Sequence, residues 1–342
     1  MSRLAHNTLY VTTPGAYLSR VGATFTVRHG DEIALRVPAI HLESIVVGTD
    51  AVVTGAAIEL CAEADIHLIF VDWSERIVAT ILSPGSRPAM TARDQHRRAE
   101  DAEWSLGTAR EFIGGKMRNQ RWVLARIARE ADDAVLADRL RIDIGRMDCM
   151  RDRVRETASA DDLRGMEGEC GSIYFGAISD IVAASHTDVC FEGRNRRPPR
   201  DAVNAMLSFG YMLLASDCAT ALSAAGLDPN RGFLHVVRAG RPALALDLME
   251  EFRPPIVDRL CLAMIRRRQF KQKNVKEFGG GYRLESSFRK EFIAAYQEQK
   301  EQTIKHPAQK TPVRWGDVPL LQARILARAV RGEGHYRAFL PE

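Results

Sequence analysis

No apolar run in this chain approaches the ~20 residues a membrane span needs, and its opening, "MSRLAHNTLYVTTPGAYLSR", lacks a cleavable signal pattern. No C-x-x-C pair occurs either: Cys61, Cys149, Cys170, Cys190, Cys218 and Cys261 stand far apart. That spacing argues against a zinc ribbon or an iron–sulfur motif carried by close pairs. Scattered cysteines in a chain of 342 residues do not make a disulfide framework, so reduced thiols and a cytoplasmic location are the expectation. Repeats, heptad arrays and low-complexity blocks are missing as well. What remains is an ordinary globular composition, 46% hydrophobic and 27% charged, with length enough for two domains.

Charge is unevenly spread. Residues 1–82 carry five Lys+Arg against nine Asp+Glu (net −4), whereas the remainder carries 43 against 35 (net +8). A polyanionic partner would therefore meet the second part.

The first ~80 residues read as mostly β. "TLYVT", "AYLSRVGATFTVRHGDEIALRV", "SIVVG", "IHLIFVD" and "RIVATIL" are short, rich in branched and aromatic residues, and separated by Gly, Asp and Asn. "GDE" fits a hairpin loop, and "DAVVTGAAIELCAEAD" is a helical insert with Val52, Ala56, Leu60 and Ala64 on one stripe. "SPGSRPAMTARD", residues 83–94, has Pro, Gly and Ser without periodicity and is assigned as a linker. From 95 to 342 the pattern is helical almost to the end, with apolar residues three and four apart. The expected fold is α+β: a small N-terminal β-sheet domain over 1–82, then an all-α domain.

Acids in apolar helical runs need a reason, because an unpaired buried charge is costly. In "LRGMEGECGSIYFGAISDIVAA", Met166, Cys170, Tyr174, Ala177, Ile178 and Ile181 form one apolar arc, and Glu167 falls inside it while Glu169 faces away. Glu167 then needs a cation, a donor or a metal; a carboxylate satisfied by N–H groups at the helix start is the alternative. In "FLHVVRAGRPALALDLMEEFRPP", Leu244, Leu248 and Phe252 give the buried stripe. Asp247 and Glu250, three apart, share the adjoining face and can converge. Glu251 sits where an arginine could neutralise it. His235 is either a hydrogen-bonded core residue or a ligand. Together these side chains form an oxygen-rich set with one imidazole, which suits Mg²⁺ or Mn²⁺.

Basic tracts surround the acids. "GRNRRPPRDAVNAM" holds Arg194, Arg196, Arg197 and Arg200; Arg238, Arg241 and Arg253 flank the acid-bearing helix; "RRRQFKQKNVK" follows it. An acid cluster among basic tracts suits a phosphodiester backbone delivered to a metal, so these seven arginines are the DNA-binding candidates.

"GMEG" with "YF" after it, "GRNRRPPRDAVNAMLSFGYMLL", "GLDPNRGFLH" and "GRPALALDLMEEFRPPIVDRL" strongly resemble the CRISPR-associated endonuclease that integrates new spacers. With "NTLYVTTPGAYLSR" and "HPAQK" the resemblance spans nearly the whole chain, and "NTLYVT" and "GRNRRPP" look most like the form accompanying subtype I-C systems. The resemblance implies a dimerising N-terminal β-domain and a helical domain with one metal site. It implies Glu167, His235 and Glu250 as catalytic metal ligands, Asp247 as a supporting acid, and Arg238 and Arg253 as basic residues near the metal. The implied reaction is attack of a prespacer 3′-hydroxyl on a repeat phosphodiester. Implied partners are double-stranded DNA (prespacer and leader–repeat), a second copy of the chain, a small ferredoxin-like adaptation subunit and, in subtype I-C systems, an iron–sulfur trimming nuclease. A stand-alone metal nuclease of DNA repair and a non-catalytic DNA-binding scaffold are the competing readings.

Overall fold

The computed structural model describes residues 3–5, 8–42, 44–64, 66–72, 77–81, 89–195, 198–236, 238, 240–309 and 311–341. An N-terminal β-sheet region precedes a helical domain, as the sequence pattern predicts. Two sheets form the first part. One has the order β5-β4-β3-β7, built from β3 (Ala16–Val21), β4 (Thr24–His29), β5 (Glu32–Pro38) and β7 (Val52–Val53). Gly30, at φ 60°, and Asp31 close the β4–β5 hairpin, a left-handed position that glycine adopts without a Cβ clash.

The other sheet runs β1-β2-β6-β8-β9, from β1 (Arg3–Ala5), β2 (Thr8–Val11), β6 (Ser44–Gly48), β8 (His67–Val71) and β9 (Ile77–Ile81). Its central pairs β2–β6 and β6–β8 are parallel. Alternation along these strands sends Leu9, Val11, Ile45, Val47 and Leu68 into a core shared with the first sheet. Tyr10, Val46, Ile69 and Val71 face the helical core instead. Covered on both faces, the strands read as continuous apolar runs rather than as a polar–apolar alternation.

Helix α1 (Gly55–Glu63) starts later than its apolar pattern suggests. The Thr54 side chain accepts the Ala57 N–H and caps it, while Val52 pairs in a strand. The buried stripe is Ala57, Leu60 and Cys61, and Ala56 is exposed.

The helical part comprises α2 (Ala89–Glu100), α3 (Ala102–Glu130), α4 (Ala134–Val154), α5 (Ala160–Ala184), α6 (Ala202–Ala224), α7 (Ala243–Met249), α8 (Arg259–Arg266), α9 (Ser286–Glu301) and α10 (Val318–Val330). Asp101, Asp133, Ser159 and Asp201 cap α3, α4, α5 and α6 through side-chain oxygens. Two findings differ from the sequence expectation. Helix α2 begins inside the stretch assigned as a linker, of which residues 83–88 lie outside the described residues. Short hairpins β10–β11 (Val275–Phe278, Gly281–Leu284) and β12–β13 (Thr303–Ile304, Val313–Arg314) flank α9 in the region expected to be helical. They are too short for periodicity to register.

Helix α6 is long and apolar enough to cross a membrane, but 83% of its apolar window is buried inside the molecule, as the core helix of the bundle. All six cysteines are free thiols; Cys61, Cys170, Cys218 and Cys261 are buried.

Candidate active site

Helix α7 ends early because "RPP" follows it. Pro254 and Pro255 have no N–H to donate, and the chain widens into a π turn over Arg253–Asp258 before α8 resumes. Glu250 thus becomes the C-terminal cap of α7, only 2% exposed, and Arg253 folds back to meet it at 3.2 Å.

Helix α5 carries Glu167 in its third turn, beyond the N–H groups that Ser159 caps, so the helix-start alternative is set aside. Helix α3 supplies the partner: Lys116, itself buried, holds Glu250 at 2.8 Å and Glu167 in direct contact. One ammonium therefore bridges two carboxylates drawn from helices 83 residues apart in sequence. Burial would raise the Glu250 pKa, but the Arg253 and Lys116 cations, with His235 nearby, hold it well below the usual carboxylate range.

Asp247 is fully buried, and both its oxygens are committed. They accept the backbone N–H groups of Phe233, Leu234 and His235 at 2.7–3.0 Å. The same carboxylate lies 2.5 Å from His235 Nδ1. A proton on Nδ1, facing Asp247, leaves Nε2 with its lone pair, the arrangement by which a carboxylate orients a ligating histidine. Asp247 and Glu250 do not converge as their spacing allowed, because the loop bearing His235 claims the aspartate. Gly232 permits this docking: a Cβ there would stand 2.7 Å from Asp247 Oδ2.

Among the described residues no arginine forms an ion pair with Glu251. Its carboxylate accepts Tyr336 OH and the Phe339 N–H at 2.6 Å each, and Gln322 Nε2 at 3.4 Å. Burial pushes its pKa up to about 8, so a proton does the neutralising. Asn119, one turn beyond Lys116, donates to the Glu251 and Phe339 carbonyls at 2.6 and 3.0 Å. A Cβ at Gly115 would lie 2.5 Å from Ala338 Cβ, so glycine lets the C-terminal segment close over α3.

Among the described residues, no three His, Cys, Asp or Glu side chains converge as a ready metal-binding group. Lys116 stands between Glu167 and Glu250, and His235 Nδ1 is turned to Asp247.

The arginines divide. Arg200 and Arg238 are exposed and Arg241 is half-buried. Arg196 and Arg197 lie outside the described residues. Two of the DNA-binding candidates have partners within the protein. Arg253 is an interior counter-ion of Glu250, stacked 4.8 Å over the Tyr211 ring. Arg194 turns inward as well, donating to Asn204 Oδ1 at 2.7 Å and Ser208 Oγ at 3.0 Å, with Tyr211 on its other side at 5.3 Å.

Sequence reasoning missed Lys116, although a signal exists. It lies one turn after Phe112 and one turn before Gln120 on the buried stripe of α3, the same anomaly that singled out Glu167.

Comparison with known proteins agrees with this architecture. The family described as "CRISPR associated protein Cas1" matches residues 9–298. A CRISPR-associated endonuclease Cas1 of Rhodospirillum rubrum is 40% identical over 332 residues, 96% of each chain. One from Moorella thermoacetica is 38% identical over 328 residues, again 96% of each. The fold is similar to a Cas1 protein from Thermotoga maritima (TM-score 0.81, 21% identity, 96% of this chain and 99% of that one). It is equally similar to a casposase bound to its integration product (TM-score 0.81, 22% identity, 97% and 92%). The chain belongs to the CRISPR-associated Cas1 family.

Proposed function

We propose that this chain is a metal-dependent DNA endonuclease and integrase of CRISPR adaptation, of the subtype I-C-like form, that joins the 3′-hydroxyl of a prespacer to a repeat phosphodiester. The observation that carries the reading is the single ammonium, Lys116, shared by the buried Glu250 and the half-buried Glu167 from distant helices. Glu250 Oε2 is buried, with the Lys116 ammonium 2.8 Å away as its partner. The two carboxylates thus already share a place filled by a cation. The donors therefore fit a hard divalent ion: Glu167, Glu250 and His235 Nε2 would hold Mg²⁺ or Mn²⁺. Such an ion supplies Lewis-acid stabilisation of charge on phosphate oxygens.

The chain's own residues do the rest. Asp247 fixes the tautomer and orientation of His235. Arg253 keeps Glu250 ionised inside the protein. In the reaction a bond forms between the prespacer 3′-oxygen and the repeat phosphorus, and the phosphorus–oxygen bond to the repeat strand breaks. The protein's main contribution is position, because in-line displacement leaves it little covalent work. With water as the attacking group the same site would cleave.

Names of related proteins support the partner set. A 35% identical protein of Geobacter sulfurreducens is named a Cas4 exonuclease/Cas1 endonuclease fusion, and a structure of similar fold is titled a Cas6-RT-Cas1–Cas2 complex. We accordingly assign double-stranded DNA, a second copy of this chain, the small ferredoxin-like subunit and an iron–sulfur trimming nuclease as partners.

The test is strand joining between a short duplex and a repeat-bearing plasmid. Glu167→Gln, His235→Asn and Glu250→Gln should each bring joined product to background while duplex affinity stays within about twofold. Wild-type joining in any of the three removes that residue, and cleavage without joining by the wild type replaces the integrase with a nuclease.

A further inference from the structure

A cavity of about 680 Å³ lies between α3 and α8, and none of Lys116, Glu167, His235 or Glu250 lines it. Four arginines do: Arg126 from α3, and Arg259, Arg266 and Arg267 from α8 and its end. Two of them are accounted for, since Glu130 holds Arg126 at 2.9 Å and Arg266 at 3.5 Å. The other two have no carboxylate partner among the described residues. Arg267 is exposed. Arg259 is half-buried between the Trp122 and Trp315 rings, at 5.8 and 5.2 Å. Burial and the neighbouring Arg126 charge pull the Arg259 pKa down to about 10, the mark of a cation short of an anion. The lining carries one further acid, Glu298, which is exposed.

A half-buried guanidinium without a carboxylate partner offers an anion both its charge and a two-pronged donor. Arg266 and Arg267 give the lining an exposed basic edge, and the chain leaving it carries exposed Lys271 and Lys273. A phosphate in a strand, rather than a free ion, would use both the fork of Arg259 and that edge. We propose that this cavity is a second phosphate-binding site, which grips a phosphodiester of the DNA away from the acid cluster. The proposal rests on DNA being the substrate, as argued above.

Its test is the salt dependence of duplex binding, measured by fluorescence anisotropy in EDTA so that the acid cluster plays no part. Arg126→Gln with Arg267→Gln changes two exposed side chains and should leave the melting temperature near that of the wild type. The log–log salt slope should become shallower by about 1, with roughly tenfold weaker binding at low salt. Arg259→Gln should do the same if it folds; should it not, the double variant decides. An unchanged slope in the folded double variant overturns the proposal. So does heat stabilisation of the wild type by inorganic phosphate that the double variant loses while its slope stays wild-type, which would make the cavity a site for a free anion. Failure of the integrase reading would show elsewhere, as cleavage without joining by the wild type.

Discussion

Glu250 remains ionised inside the protein because two cations reach it, Arg253 at 3.2 Å and Lys116 at 2.8 Å. Breaking such a buried pair from one side strands the other charge and costs about 3–5 kcal/mol. Lys116→Met should therefore lower the melting temperature in EDTA. Mn²⁺ should restore it by more than it stabilises the wild type, because the two carboxylates would then lack their internal cation. Equal Mn²⁺ shifts in both proteins would say that the ammonium and the metal do not share a place. Asp247 acts through His235, so Asp247→Asn should weaken Mn²⁺ binding about 10–100-fold, read by titration calorimetry. Unchanged affinity would reduce Asp247 to a clamp on the loop at Phe233–His235. At this scale the sequence was informative where a charge interrupted an apolar arc, as at Glu167, and silent about partners. Spacing put Asp247 and Glu250 on one face but could not show that three loop N–H groups would take the aspartate.

The segment between α7 and α8 carries two buried carboxyls of raised pKa, Glu251 and Asp258, and their linkage has one sign. Burial lifts Asp258, which accepts Tyr211 OH at 2.6 Å and Tyr174 OH at 3.0 Å, from 3.8 to about 6. Glu251 rises from 4.5 to about 8 for the same first reason. In each window the folded chain holds a proton that the unfolded chain has lost. Stability is therefore full below the unfolded values and falls as pH rises, by up to about 1.4 kcal/mol per pH unit for each group. Urea midpoints should decline between pH 5 and pH 8. Glu251→Gln should flatten the upper part of that decline and Asp258→Asn the lower. A variant whose decline matches the wild type would show that its carboxyl is already ionised in the folded state. The long helices were legible from periodicity, since α3, α5 and α6 all lie in the stretch from 95 onward that reads as helical. The β10–β11 hairpin was not, because tertiary contacts hold it: the Tyr282 N–H donates to the Pro199 carbonyl at 2.8 Å.

Across the whole molecule the five-stranded sheet joins the two halves, with Tyr10 buried against the helical core and its hydroxyl 3.2 Å from Gln297 Nε2. The change from β pattern to helical pattern near residue 82 was visible in the sequence, but this coupling was not, since a run such as "SIVVG" does not say what covers each face. The C-terminal segment provides a similar long-range tie, from Tyr336 and Phe339 to Glu251. Glu250 itself is placed by Lys116 of α3 and by Arg253 of its own turn, and the catalytic reading depends on that placement. Its most direct test is a crystal structure of the protein soaked in Mn²⁺, with anomalous scattering locating the ion. The account predicts one strong peak bounded by Glu167, Glu250 and His235 Nε2, with the Lys116 ammonium moved aside. A peak elsewhere, or Lys116 still bridging the two glutamates at saturating Mn²⁺, would contradict it.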